Sequence, residues 1–256
     1  MRQGGLKISI FLGLAIVVFA SVTKCSNKTH NPYTDRAQDI NISTDQEIAI
    51  GLQSAPEIIQ QYGGLYPDKN LQDYIDRIGN TLVNASIAKN SPYKYEFHLL
   101  ADPTCINTFT LPGGQIFITY ALLSKLDNED QVAGILGHEI GHVLGRHSAE
   151  RIAKHAYWKT ISANASVDTD FGSLTKEIDQ NVLLDNSRLD ELESDKLAIQ
   201  FMINAGYNPQ ELIEIMKTLK NTTNPNRIII LKNTHPNPEN KMAKIRDAIK
   251  HYKKEQ

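Results

Sequence analysis

The chain has 256 residues, 41% of them hydrophobic, and a formal net charge of −2, which suits one sizeable closed core and is barely enough for two. That near-neutral balance lacks the basic field nucleic-acid binding requires, so nucleic acid is not an expected partner. The only cysteines are Cys25 and Cys105, so disulfides do not organise the fold.

At the N-terminus, Arg2 and Lys7 precede the apolar run Ile8 to Ala20. As a helix this run reaches roughly 20 Å, short of the roughly 30 Å hydrocarbon core, and it reads as an export signal. Residues 1–24 are thus expected to be a signal peptide or lipoprotein signal. Val22-Thr23-Lys24-Cys25 resembles the lipobox that lipidates its cysteine, with Lys24 standing where a small residue is usual. The competing cleavage point follows Ala20, and an uncleaved anchor is the third reading. Export and cleavage by either route place the mature chain in a bacterial periplasm, with outer-membrane attachment through Cys25 as one outcome. Residues 25–42 are polar and aperiodic, as a tether would be.

The folded domain is expected over residues 43–256. Ser43 or Thr44 can cap a helix carrying Ile48 and Leu52, and Leu71, Ile75, Ile78 and Leu82 mark a second helix. Tyr93 to Leu100 and Gly114 to Thr119 are aromatic and β-branched, bounded by Pro and Gly, and read as strands. Ile106 to Leu111, before the Pro112-Gly113-Gly114 turn, reads as an edge strand paired with the strand that follows. Helices dominate from Asn128 onward.

The helix capped by Asp127 or Asn128 carries GILGHEIGHVLGRH, residues 134–147. At about 100° per residue, His138 and His142 stand about 40° apart with Glu139 in the same sector. Two imidazoles one turn apart can bind one Zn²⁺, and the glutamate between them can take a proton from water at the open position. Gly134, Gly137, Gly141 and Gly145 fall in one sector and predict another element packed tightly on that side. His147 projects about 140° from His142 on an extended helix, which assigns it a surface or supporting role, and His155 is read the same way.

A catalytic zinc needs a third protein ligand. Leu189, Leu192, Ile199 and Ile203 mark a helix that stops at Gly206. Within it Glu191 and Asp195 share a face, whereas Glu193 points away. Glu191 is the ligand candidate, and Asp195 can accept the second ring N–H of a ligating histidine.

HEIGH at 138–142, followed by the S-R-x-x-E-x-x-S-D pattern at 187–195, resembles the zinc metallopeptidases that include the HtpX heat-shock protease, the prenyl-protein endopeptidases, mitochondrial Oma and the periplasmic Loi- and Bep-type proteases. The resemblance extends to NTFTLPGGQIFITYALL at 107–123 and THPNPENKM at 234–242, with the shorter Loi- and Oma-like architecture the closer match. It implies an α+β, mostly helical, single-domain gluzincin-type metallopeptidase whose small mixed β-sheet borders the active-site cleft with its edge strand. It further implies one Zn²⁺ on His138, His142 and Glu191, Glu139 as base, Asp195 behind the ligands, and His235 as oxyanion donor or extra ligand. Thr108, Ser194 and Lys241 depart from the usual alanine, alanine and arginine of the family.

The expected reaction is hydrolysis of peptide bonds in misfolded or membrane-associated envelope proteins. The polypeptide substrate would lie extended along the edge strand and pair with backbone groups of Asn107 and Thr108. Residues 147–185 are a candidate lid, polar at Ser162 to Ser173. The alternative from another class is a noncatalytic envelope chaperone or assembly factor whose zinc site is closed and structural.

Overall fold

A computed structural model describes residues 28–154, 187–220, 235 and 240–255. The signal region, Cys25, His155 and the polar part of the proposed lid lie outside the described residues. Among those described, no helix is long and apolar enough to cross a membrane.

The first described element departs from the tether expected over 25–42. Strands β1 (Lys28–Asn31) and β2 (Arg36–Asp39) pair antiparallel, through a turn containing Asp35 at φ 56°. Polar composition concealed this hairpin because its inward residues are amides: Asn31 and Gln38 are both buried and spend their hydrogen bonds on backbone carbonyls of the domain.

Helix α1 (Thr44–Gln61) begins with a capping box between Ser43 and Gln46, which satisfies two backbone donors that would otherwise be orphaned. Its buried face carries Glu47, Ile50, Gly51, Ala55 and Ile58, while Leu52 is half exposed. Of the two apolar residues expected to mark this helix, Ile48 packs against the core and Leu52 faces outward. Helix α2 (Lys69–Asn84) follows its periodicity, with Ile75, Ile78 and Leu82 fully buried.

Strands β3 (Glu96–Leu100), β4 (Thr108–Thr110) and β5 (Gln115–Thr119) form a mixed sheet in the order β3-β5-β4. β3 runs parallel to β5, and β4 antiparallel to it with Phe109 opposite Phe117. The turn between β4 and β5 uses Gly113 at φ 83°, and a Cβ there would stand 2.3 Å from the Ile48 backbone. Only glycine lets α1 lie directly on this turn.

A short helix α3 (Tyr120–Leu123) leads to α4 (Glu129–Leu144), capped by Asn128 and buried along nearly its whole length. Helices α5 (Arg188–Asn204), α6 (Glu211–Lys220) and α7 (Lys241–Glu255) complete the described chain. α4 lies between the sheet, through β4 and β5, and the pair α5 and α6. The molecule is thus α+β and mostly helical, with β4 at a sheet edge beside the histidine helix.

The glycine sector has three different neighbours. Gly137 and Gly141 face Ala198 and Ser194 of α5, Gly134 faces Leu212 and Ile215 of α6, and Gly145 faces the ring of His147.

Candidate metal and catalytic site

His138, His142 and Glu139 project from the middle of α4, and Glu191 and Asp195 from the facing side of α5. His235 approaches from the far end of the chain. One ligand atom from each of His138, His142, Glu191 and His235 lies within 4.8 Å of every other. His138 Nε2 is 3.0 Å from His142 Nε2. The Glu191 oxygens stand 3.3 Å from both nitrogens. His235 Nδ1 is 3.0 Å from Glu191 Oε1 and 3.4 Å from His138 Nε2.

The outer hydrogen bonds decide what these atoms present to one another. His138 Nδ1–H donates to Asp195 Oδ1 at 3.0 Å, and His235 Nε2–H donates to the Thr108 carbonyl at 2.9 Å. His142 Nδ1 lies 2.7 Å from His147 Nδ1. With those protons on the outer nitrogens, three bare ring nitrogens and a carboxylate converge with no proton between them. Such a set of acceptors is stable only around a cation. Metal bonds of about 2.0–2.1 Å in a tetrahedron require ligand atoms about 3.3–3.4 Å apart, which the distances among His138, His142 and Glu191 and from His235 to His138 and Glu191 match within a few tenths of an ångström. The residues fit a metal.

The carboxylates draw positive charge into the site, as a proton on His138 where no metal is bound. Burial disfavours charge on His138, but the Glu191 carboxylate with Asp195 overrides it and pushes the imidazole up to about 10. His142 is held well below the usual histidine range, by burial and by the neighbouring His138 and His147 rings. Glu191 is buried, yet His235 and His138 hold its carboxyl well below the usual range. Lys241 Nζ bridges Glu191 Oε2 and Asp195 Oδ2 at 3.2 Å each. It serves as a point charge between two carboxylates, where a forked arginine contact is unnecessary.

Glu139 is fully buried. Burial pushes its carboxyl above the usual range, against the pull of His235 and His138. Neither oxygen accepts a hydrogen bond of regular geometry, and His235 Nε2 is 3.5 Å from Oε1. An unsatisfied buried carboxylate costs stability, and this one stands beside the converging ligand atoms.

The two substrate-binding candidates separate. Asn107 N–H donates to Thr119 Oγ1, and Asn107 O accepts from Thr119 N–H and Thr119 Oγ1–H. Its backbone is spent on β5, which corrects the expectation that it pairs with substrate. Antiparallel strands turn alternate residues towards the partner, so Thr108 and Thr110 turn their backbone groups to the edge of β4 that no described strand pairs. The sequence named Thr108 for this edge; strict two-residue alternation through Phe109 adds Thr110 to it.

His147 takes the supporting place rather than the surface one, of the two the sequence left open. It is 0% exposed, because α4 ends at Leu144 and Arg146 adopts φ 54°, swinging the next residue back under His142. Extrapolating one continuous helix left a surface position open, and the turn removes it. Glu193, expected to point elsewhere, reaches His147 Nε2 at 2.7 Å.

Fold and site together define a metallopeptidase built on an HExxH helix with a glutamate ligand from the following helix. The profile of Peptidase family M48 matches residues 69–249, and the chain belongs to that family. It is 26% identical over 244 residues to the mitochondrial metalloendopeptidase OMA1 of Schizosaccharomyces pombe, covering 92% of this chain and 70% of that protein. The Saccharomyces cerevisiae protein of the same name is 31% identical over 206 residues, 74% of this chain and 58% of that one. The beta-barrel assembly-enhancing protease of Escherichia coli K12 is 26% identical over 234 residues, 83% of this chain and 47% of that one. The chain thus spans about half to two thirds of the length of these relatives.

Proposed function

We propose that this protein is a zinc-dependent endopeptidase acting on misfolded or membrane-associated polypeptides of the bacterial envelope. The observation that carries the reading is the convergence of His138 Nε2, His142 Nε2, Glu191 and His235 Nδ1 beside the unsatisfied carboxylate of Glu139. The envelope assignment draws on the apolar N-terminal run and on a relative named for β-barrel assembly.

His138, His142 and Glu191 would hold the zinc, which supplies Lewis acidity toward the scissile carbonyl and the attacking water. An extended peptide adds to the free edge of β4, pairing with backbone groups of Thr108 and Thr110. Backbone pairing makes selectivity among side chains modest. Glu139 accepts a proton from the attacking water and delivers it to the leaving amine, the general acid–base part worth roughly 10²- to 10⁴-fold. Its burial, which pushes the carboxyl upward, moves it towards the basicity this task needs.

His235 has two places to give up before peptide can bind. Its Nδ1 completes the ligand set, and its Nε2–H occupies the Thr108 carbonyl that an incoming strand would use. Released from the Thr108 carbonyl, the same N–H becomes available to donate to the developing oxyanion of the peptide. A set of four protein ligands is also what a purely structural metal centre would show, and this favours the closed, noncatalytic binding module as second reading. The buried Glu139, whose oxygens accept no hydrogen bond of regular geometry, favours the enzyme.

The test is zinc content together with cleavage of an unfolded protein, for the wild type and Glu139→Gln. Both should bind one zinc, and only the wild type should cleave. Cleavage by Glu139→Gln would overturn the assignment; zinc without cleavage in either would establish the binding module.

A further inference from the structure

Each of the two metal-binding histidines of α4 needs a partner for its outer ring nitrogen, and the two are served differently. His138 donates directly to a carboxylate, Asp195. His142 instead meets another imidazole, that of His147, with 2.7 Å between the Nδ1 atoms and the rings edge-on at 78°. Because His142 Nε2 faces the metal position, its proton sits on Nδ1 and His147 Nδ1 accepts it. The proton of His147 is then on Nε2, which donates to Glu193 Oε2 at 2.7 Å. The chain of bonds runs one way, from metal ligand to imidazole to carboxylate.

Glu193 in turn belongs to a cluster closed by the N-terminal hairpin. Arg36 of β2 places its Nη1 3.0 Å from Asp190 Oδ1, its Nη2 2.6 Å from Glu150 Oε2 and its Nε 3.7 Å from Glu193 Oε2. Three carboxylates from two parts of the chain surround one guanidinium, and without it their mutual repulsion would spread them. The hairpin is anchored independently at the same place. Asn31 Nδ2 donates to Leu144 O at 2.8 Å, and Gln38 Nε2 to Gly145 O at 2.6 Å, so two amides satisfy carbonyls at the C-terminal end of α4. Gly145 completes the seat, since a Cβ there would stand 2.2 Å from His147 Nε2.

We propose that His147 is a positioning residue that fixes the tautomer and ring orientation of His142, and that the hairpin, through Arg36 and Glu193, holds His147 in that role. The N-terminal hairpin is then part of the metal centre. The inference rests on the metal reading of the site.

The test measures zinc affinity of the full chain by chelator competition, together with melting temperatures of the metal-free and zinc-loaded forms. His147→Leu should weaken zinc binding about 10- to 100-fold. His147→Asn keeps an acceptor where Nδ1 was and should recover most of the affinity, whereas His147→Gln, whose amide reaches only the Glu193 side, should not. Arg36→Met should weaken zinc several-fold. Wild-type affinity in His147→Leu, or equal affinities for the Asn and Gln variants, would overturn the positioning role. Equal losses of melting temperature in both forms at unchanged affinity would do the same, because they denote packing alone. Unchanged affinity in Arg36→Met would remove the hairpin from the centre. A wild-type chain that binds no zinc would instead refute the metal reading itself.

Discussion

Replacing Gly141 by alanine should damage the site, while the same change at Gly137, one turn earlier on the same helix, should not. A Cβ at Gly141 would stand 2.9 Å from Ser194 Cα, 3.0 Å from Ser194 O and 3.2 Å from Ser194 Cβ. Favourable carbon contacts begin at about 3.5 Å, so α5 must retreat by roughly half an ångström, and backbone cannot rotate aside as a side chain would. Overpacking of this kind costs about 1–3 kcal/mol, against about 1 kcal/mol gained by putting alanine for glycine in a helix. Net stability should fall by about 0–2 kcal/mol on those two terms. Zinc affinity suffers more, because Glu191 rides on α5 one turn before Ser194 and ligand distances tolerate only about 0.2 Å; a tenfold loss or more is expected, on the order seen when ligand support is removed. At Gly137 the Cβ would meet Ala198 at 3.5 Å, an ordinary contact. That variant should keep wild-type affinity and gain up to about 1 kcal/mol, raising the melting temperature by about 2–4 °C. Chelator competition and thermal unfolding measure both quantities. If Gly141→Ala matched Gly137→Ala in both, the close approach of α4 and α5 would not be what places the third ligand.

Three further outcomes are expected. Burial pushes the Glu47 carboxyl up to about 7 against the pull of Arg146, so the folded state holds this proton more tightly than the unfolded one. The resulting stability is complete below about pH 4.5 and lost as pH rises through 7; Glu47→Gln should gain on the wild type by roughly 3 kcal/mol across that window, and a pH-independent difference would refute it. Lys241→Met removes the cation between Glu191 and Asp195 and should cost the metal-free protein about 3–5 kcal/mol, with a smaller loss when zinc is bound; chemical denaturation of both forms distinguishes this from an equal loss. His235→Ala should retain zinc on three ligands and lose about 10²- to 10³-fold in turnover, and faster cleavage by this variant would refute its role as oxyanion donor.

Legibility in the sequence followed local physics. The α2 stripe Ile75, Ile78 and Leu82 was readable because those residues face one core and nothing else competes for the helix. In α5 the apolar marks hold in part: Ile199 is buried and Ile203 packs on the core, but Leu189 is 70% exposed while Asp190, Glu191, Ser194 and Asp195 are buried. The first two turns of this helix bury acids, so hydrophobic periodicity alone does not mark the buried face there. The polar hairpin was invisible for a related reason, since its binding to the domain uses amides and one arginine, which composition assigns to solvent.

By itself, the sequence determined the ligand helix with His138, Glu139 and His142, and the pairing of Glu191 with Asp195, because spacing within one helix sets direction. The short strands beside a glycine turn follow from the same locality. Tertiary structure alone decided whatever depends on how separate elements meet. A turn at positive φ buried His147 beneath His142, and pairing register spent Asn107 on β5 and left Thr108 at the edge. Packing of distant segments brought His235 and Lys241 onto Glu191 and set Arg36 behind the site. Those contacts span most of the chain, and no period within one segment encodes them.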